Sequence, residues 1–374
     1  MHDTPVVHDP ARRRLLGALG AAGLASVLPR VQAKGVRRLG VALVGLGYYS
    51  RDLLAPALQM TQHCRLAGIV TGTPAKADDW QRRYRIPDRN VYDYDGFDRI
   101  ADNPDIDVVY VVLPNHLHKP FTLRAAGAGK HVWCEKPMAM DATEAQAMIE
   151  ACHRHRVQLA IGYRMQHEPN TQAVMALAKT RPFGRLQRVR AEAGFRGFDG
   201  ASGDNWRQDP ARGGGAMYDM GVYALNAARY TTGSEPVAVT ATQEVQRPEI
   251  FRGVDETMRF QLEFPDGVVA ECVTSFGRNM NVLRADCTEG WYELSPFQAY
   301  EGVRGEASDG RRFDAVIGAT PAQQARQMDA DARAILERRA PRVPGEEGLR
   351  DMRALDAIFA SARTGGARVE IARA

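Results

Sequence analysis

The chain has 374 residues, long enough at roughly 100–200 residues per domain for two domains or one large domain with an insertion. Apolar residues make up 44% and charged residues 25%, ordinary globular usage that excludes wholesale disorder, collagen-like repeats and a multi-span membrane protein. Lys plus Arg number 49 against 45 Asp plus Glu, too small a surplus for a nucleic-acid or anionic-membrane footprint.

Residues 1–33 carry the marks of an address. Twin arginines in Ala11-Arg12-Arg13-Arg14 precede a Gly/Ala-rich apolar run from Leu15 to Leu28, too short for a stable membrane anchor, and Val31-Gln32-Ala33 offers a small-x-small cleavage site. This order predicts a twin-arginine signal cleaved after about Ala33, hence a periplasmic protein exported already folded. The competing reading is an Arg-bearing N-terminal helix of a cytosolic protein.

From 34 to 160 strand and helix alternate. Strands are predicted at Leu39 to Val44, Leu66 to Thr71, Val108 to Leu113, His131 to Cys134 and Gln158 to Gly162; helices at Arg51 to Gln62, Ala75 to Tyr84, Phe121 to Ala128 and Thr143 to Arg156. Such units predict an α/β fold, a doubly wound parallel sheet of the Rossmann type with right-handed crossovers. From 161 to 374 β-type composition takes over, at Leu186 to Phe195, Val237 to Glu244, Met258 to Phe264 and Val268 to Phe276, with a hairpin turn at Phe264-Pro265-Asp266-Gly267. This half is expected to be an α+β domain on a largely antiparallel open sheet, ending in amphipathic helices at Gln323 to Arg338 and Glu347 to Arg363. Its exposed face needs cover, so a homodimer or homotetramer through that sheet is expected.

The first chemical signal, Gly45-Leu46-Gly47-Tyr48-Tyr49-Ser50, lies between a strand and a helix, where glycines let a pyrophosphate approach backbone N–H groups. Ser50 stands in the usual place of a third glycine or alanine and is small enough to keep helix and strand close. The second strand ends Thr71-Gly72-Thr73-Pro74-Ala75-Lys76, with no acid to bond ribose hydroxyls, so NADP is expected over NAD, with Thr71 as donor and Lys76 as phosphate partner. A solvated helix lysine is the plain alternative for Lys76. Pro114, Asn115 and His118 follow a central strand at the ligand-binding edge, where Asn115 and His118 can line the cofactor crevice. His116 and His118, two apart without a third ligand nearby, make a poor metal site, and no metal is expected. The five cysteines, Cys64, Cys134, Cys152, Cys272 and Cys287, are far apart without C-x-x-C spacing and are expected to be buried thiols.

Cys134-Glu135-Lys136-Pro137 is the sharpest signal, because a glutamate and a lysine above a nucleotide pocket are costly to bury unless used. A surface ion pair is the bland reading. Farther on, Gly213-Gly214-Gly215 joins what reads as a mobile glycine run to a helical segment on which Asp219 and Tyr223 share a face. A tyrosine beside an ammonium can pass a proton; alone it would be a core aromatic.

Together, Gly45 to Gly47, Pro114-Asn115-x-x-His118, Glu135-Lys136-Pro137, Gly162-Tyr163-Arg164 and Asp219 to Tyr223 resemble the glucose-fructose oxidoreductase, inositol dehydrogenase and rhizopine-catabolism family, from about Leu39 to Gly365. Most of that family has histidine at the place of Tyr223; the tyrosine, Gly47-Tyr48-Tyr49 and the export signal resemble its periplasmic glucose-fructose oxidoreductase branch. The resemblance implies catalytic Lys136 and Tyr223 supported by Asp219. It also implies Tyr163 and Arg164 near nicotinamide and sugar, Tyr48, Tyr49 and Glu135 among the cofactor contacts, and a cis bond before Pro137. The expected reaction is oxidation of an aldose at its anomeric carbon to a lactone with NADP, followed by reduction of a second sugar. The alternatives are an ordinary NAD(P)-dependent sugar or polyol dehydrogenase, and a catalytically silent sensor. Cleavage after Ala33 would leave only Lys34 to Arg38 before the first strand, whereas that branch has a long arm over a neighbour's cofactor.

Overall fold

The computed structural model describes residues 37–199 and 205–372; the segment 1–33 expected to be an export signal lies outside them. Six strands form a parallel sheet: β1 (Leu39–Val44), β2 (Cys64–Val70), β3 (Val91–Tyr92), β4 (Val108–Val111), β5 (His131–Cys134) and β6 (Leu159–Ile161). Their order is β3-β2-β1-β4-β5-β6. β1 and β4 are buried along their whole length, which is why apolar runs without alternation mark them in the sequence. The chain winds outward from β1 in both directions, so a crevice opens where β1 and β4 part at their carboxyl ends.

The first crossover differs from expectation. A π-type turn at Ser50–Leu54 leads into a short α1 (Ala55–Leu58), and the chain reaches β2 sooner than a helix to Gln62 would allow. The other helices of this half, α2 (Pro74–Tyr84), α3 (His118–Gly127) and α4 (Ala142–Arg154), lie within a few residues of their predicted places. Asp141 caps α4 by accepting from Glu144 N at 2.7 Å.

Beyond β6 comes α5 (Pro169–Thr180), a helix the periodicity analysis missed, although Glu168-Pro169 is a start signal: Glu168 accepts from Thr171 N at 2.6 Å. Then follow β7 (Leu186–Gly194), α6 (Val222–Thr232), β8 (Ala238–Glu244), β9 (Thr257–Glu263), β10 (Val269–Ser275), β11 (Met280–Cys287), β12 (Gly290–Leu294), β13 (Gly305–Ala307) and β14 (Arg312–Phe313). The chain ends in α7 (Ala322–Leu336), α8 (Gly345–Arg363) and β15 (Val369–Glu370). The second sheet runs β14-β13-β12-β11-β7-β10-β9-β8-β15, antiparallel except between β7 and β10. The predicted hairpin joins β9 and β10, with Gly267 at φ 80° and its N–H on the Phe264 carbonyl at 3.0 Å.

α7 leaves the sheet that precedes it and packs on the first one, where Ala325, Met328 and Ala332 join Leu43, Tyr110 and Trp133 in one core. Asp329 on its outer side accepts from the N–H groups of Gln62 and His63, pinning the entry to β2. All five cysteines are free, four buried and Cys287 half-buried. Among the described residues no helix is long and apolar enough to cross a membrane, and no cluster of His, Cys, Asp or Glu is arranged to hold a metal.

Candidate active site

The glycine turn follows β1 directly. Gly45 has φ 92°, and a Cβ there would stand 2.4 Å from the Val112 carbonyl, so only glycine lets β1 and β4 diverge at this height. A Cβ built on Gly47 meets nothing within 4 Å: the space beside this backbone is open, as close approach of a ligand requires. Ser50 is fully buried, and its hydroxyl donates to the Gly45 carbonyl at 2.6 Å, closing the turn from behind. Tyr48 is exposed, whereas Tyr49 turns inward toward Tyr300, ring centroids 6.3 Å apart. At the end of β2, Thr71 is buried and accepts from Thr73 N at 3.3 Å, while Lys76 lies exposed in the first turn of α2. No described carboxylate pairs with Lys76, so its ammonium faces solvent beside the crevice.

Asn115 is buried and donates from Nδ2 to the Gly213 carbonyl at 2.7 Å, stitching the loop after β4 to the glycine run. His118 is engaged on both sides: Nδ1 lies 2.8 Å from the Pro137 carbonyl and Nε2 2.8 Å from that of Leu113. Two carbonyls favour an imidazolium, but burial pushes the ring down to about 4, so it stays neutral, donating to one carbonyl and facing the other. Its role in this geometry is to fix the two loops that bear Asn115 and Lys136, with no free nitrogen left for a ligand.

The run Gly213-Gly214-Gly215 is not the mobile segment its composition suggests. All three are buried; added Cβ atoms would come 2.7 Å from the Asn115 side chain, 2.6 Å from the Arg207 carbonyl and 2.2 Å from the Asp255 carboxylate. The glycines are there because three other elements pass within contact distance. Immediately after them, a π-type turn at Met217–Gly221 runs into α6 and carries Asp219 and Tyr223 toward β5.

There they meet Lys136. Its peptide bond to Pro137 is cis, and its ammonium donates to the Asp219 carbonyl at 2.5 Å and to Asp219 Oδ1 at 3.3 Å, while lying 4.9 Å from the centre of the Tyr223 ring. Lys136 therefore pairs with Asp219 across the crevice and not with its neighbour Glu135. Glu135 turns into the sheet, where Oε1 accepts from the Tyr110 hydroxyl at 2.6 Å; burial raises its carboxyl, and that hydroxyl and the Lys136 charge pull it part of the way back. Burial alone would also raise Asp219, but the guanidinium of Arg207, 2.8 Å from Oδ2, and then the Lys136 ammonium outweigh it and hold the carboxylate far below its ordinary range.

Arg164 is buried, donates to the carbonyls of Ala299 and Gln298 at 2.8 and 3.0 Å, and lies between the rings of Tyr223 and Tyr300, 5.3 and 4.7 Å from their centres. Burial raises both Tyr49, with help from Glu135, and Tyr300, with help from Tyr223, so these two phenols stay protonated. Tyr223 is the phenol whose ring lies against the Lys136 ammonium. The fold does not bring Tyr163 to this group: its hydroxyl lies beside Asp351 of α8, without a hydrogen bond of normal geometry, in a buried cluster with Tyr230 and Arg229. Sequence reasoning missed Arg207 and Tyr300. Neither sits in a recognisable motif; Trp206-Arg207 before the glycine run was the nearest signal.

Residues 39–163 match the model of the oxidoreductase family with an NAD-binding Rossmann fold, GFO_IDH_MocA, and residues 171–293 match a GFO/IDH/MocA C-terminal domain. The chain is 33% identical over 334 residues to a D-xylose 1-dehydrogenase (NADP(+)) of Haloferax volcanii, covering 88% of this chain and 97% of that protein. It is 28% identical to the D-xylose 1-dehydrogenase [NADP(+)] of Haloarcula marismortui, covering 86% and 91% respectively. Among solved structures it superposes on the aldose-aldose oxidoreductase of Caulobacter crescentus, complexed with glycerol, with a TM-score of 0.84 and 40% identity, over 89% of this chain and all (100%) of that one.

Proposed function

The chain belongs to the GFO/IDH/MocA oxidoreductase family, and from that premise we propose that it is an NADP-dependent sugar oxidoreductase that oxidises an aldose at its anomeric carbon to the lactone. The observation that carries this reading is the convergence of Lys136, Asp219 and Tyr223 at the mouth of a crevice whose floor at Gly47 is open. The residues fit the cofactor: Gly45 makes the turn and Gly47 leaves room for the pyrophosphate at the start of the helical turn, and Thr71 and Lys76, with no acid from 71 to 76, suit a 2'-phosphate. NADP would supply the hydride acceptor. Tyr223 takes the proton of the anomeric hydroxyl, and Lys136 steadies the charge that develops on the two oxygens. Asp219, ionised throughout, keeps Lys136 aimed.

We further propose that the enzyme works in the periplasm and reduces a second sugar without releasing its cofactor. The arginine pair and apolar run ahead of Lys34 motivate the location, since an exported enzyme has no cytoplasmic nucleotide pool to draw on. Likeness to an aldose-aldose oxidoreductase supports the paired reaction. The xylose dehydrogenase relatives favour the other reading, a dehydrogenase that releases NADPH. Gel-filtered protein assayed with a sugar pair and no added nucleotide separates them: lactone formation supports retention, whereas turnover only with supplied NADP, and NADPH accumulating in solution, supports the dehydrogenase.

The assembly we propose is a homodimer or homotetramer through the outer face of the second sheet. Arg188, Arg190, Glu271 and Arg284 lie there between Trp291 on β12 and Val273 on β10, charges of both signs flanked by apolar side chains, which a second copy can match. Sedimentation of wild type against Val273→Glu tests it; an unchanged mass would remove this face from the interface.

A further inference from the structure

Arg207 is an unusual companion for a site that already has its lysine. The Asp219 carboxylate is bracketed, Oδ1 by Lys136 at 3.3 Å and Oδ2 by Arg207 Nε at 2.8 Å. Arg207 is itself built in. Its N–H donates to Asn205 Oδ1 at 3.1 Å, its carbonyl accepts from Gly215 N at 2.9 Å, and its guanidinium lies over the Trp206 ring, 4.4 Å from the centre. Gly214 is glycine because that same carbonyl occupies the place of its Cβ. Several features of the chain therefore serve to deliver one guanidinium to one oxygen.

Electrostatics explains what the delivery achieves. With Arg207 present, Lys136, Arg207 and Asp219 sum to one positive charge, within electrostatic reach of Tyr223 and Tyr300. Without it the sum is zero, and the whole carboxylate charge falls on Lys136, whose ammonium already gives two of its three hydrogens to Asp219. We infer that Arg207 is a positioning residue for hydride transfer: it shares Asp219 so that Lys136 keeps a hydrogen and its positive potential for Tyr223 and the reacting oxygen. This rests on the sugar-oxidoreductase reading above.

The test uses the full mature protein loaded with NADP and a sugar in single turnover across pH 5–9, with Arg207→Met, Arg207→Lys and Arg207→Gln beside Lys136→Ala and Tyr223→Phe. NADP affinity by fluorescence titration and thermal melting accompany each variant. Arg207→Met should slow hydride transfer about tenfold or more and move the pH of half-maximal rate upward, because the site loses one of its positive charges beside the hydroxyl that must give up its proton, Lys136 and Arg164 remaining. NADP affinity and the sugar KM should change less than about threefold, a separation of rate from binding that positioning implies. Arg207→Lys should restore most of the rate and the original pH midpoint. If Arg207→Met does not fold, Arg207→Gln carries the same expectation. A higher sugar KM at unchanged rate would make Arg207 a sugar contact and overturn the inference, as would a lost rate with an unmoved pH midpoint. Wild-type rates in Lys136→Ala and Tyr223→Phe would instead bring down the reading of the site itself.

Discussion

Asp331 offers a test of how the fold is held together at the helix that covers the first sheet. It lies buried on α7, its Oδ1 without a partner among the described residues, and burial pushes its carboxyl up to about 8 against the pull of Arg339 and then Arg342. In the unfolded chain the same group titrates near its ordinary value of about 3.9. The folded protein therefore keeps a proton that the unfolded chain gives up, and stability is intact below about pH 4 and lost as pH rises toward 8, by about 1.4 kcal/mol per unit. At pH 7 the loss is on the order of 4 kcal/mol. Asp331→Asn keeps the shape, removes the titration, and should match or slightly trail wild type near pH 4. At pH 8 it should be the more stable protein by several kcal/mol, about 2 °C in Tm for each. Thermal or urea midpoints of both proteins between pH 4 and 8.5 measure this. A difference that stays flat across that range, or a variant less stable at pH 8, would mean that Asp331 is ionised in the fold and paired with Arg339 or Arg342, and the reasoning would be refuted.

Gly45→Ala and Gly47→Ala should separate folding from binding. The first forces a Cβ against the Val112 carbonyl at φ 92° and should cost a few kcal/mol of stability; the second meets nothing and should fold as wild type while losing nucleotide affinity, read by melting and fluorescence titration. Lys136→Ala and Tyr223→Phe should each lower single-turnover hydride transfer on the order of a hundredfold with NADP still bound, and Asp219→Asn less; a near-wild-type rate in Tyr223→Phe would remove the phenol from proton transfer. Lys76→Ala should weaken NADP binding while leaving NAD affinity unchanged, and tighter binding of NAD than NADP by wild type would contradict the assignment.

Local signals in the sequence determined the first half of the fold. β1 and β5 begin and end where their apolar runs do, because a strand buried on both faces needs no partner in the pattern to be recognised. The glycine turn, Lys136, Asp219 and Tyr223 were legible for a related reason: each stands at a strand end or helix start, and the edge of a parallel sheet where ligands bind follows from topology alone. β11 was not legible, since Arg284 and Asp286 break its apolar pattern and its strand status comes from pairing with β7, far away in the chain. The same distance hid the rest. Nothing local distinguishes the sheet that α7 covers, because apolar burial has no direction of its own. Tyr163 adjoins Arg164 in sequence, yet the two side chains go to different clusters. The glycine run looked loose until Asn115, Arg207 and Asp255 were found packed against it. Arg207 itself became a site residue only when folding set its guanidinium on the far oxygen of Asp219: ion pairs and close packing are made in space, between elements whose meeting the tertiary structure alone decides.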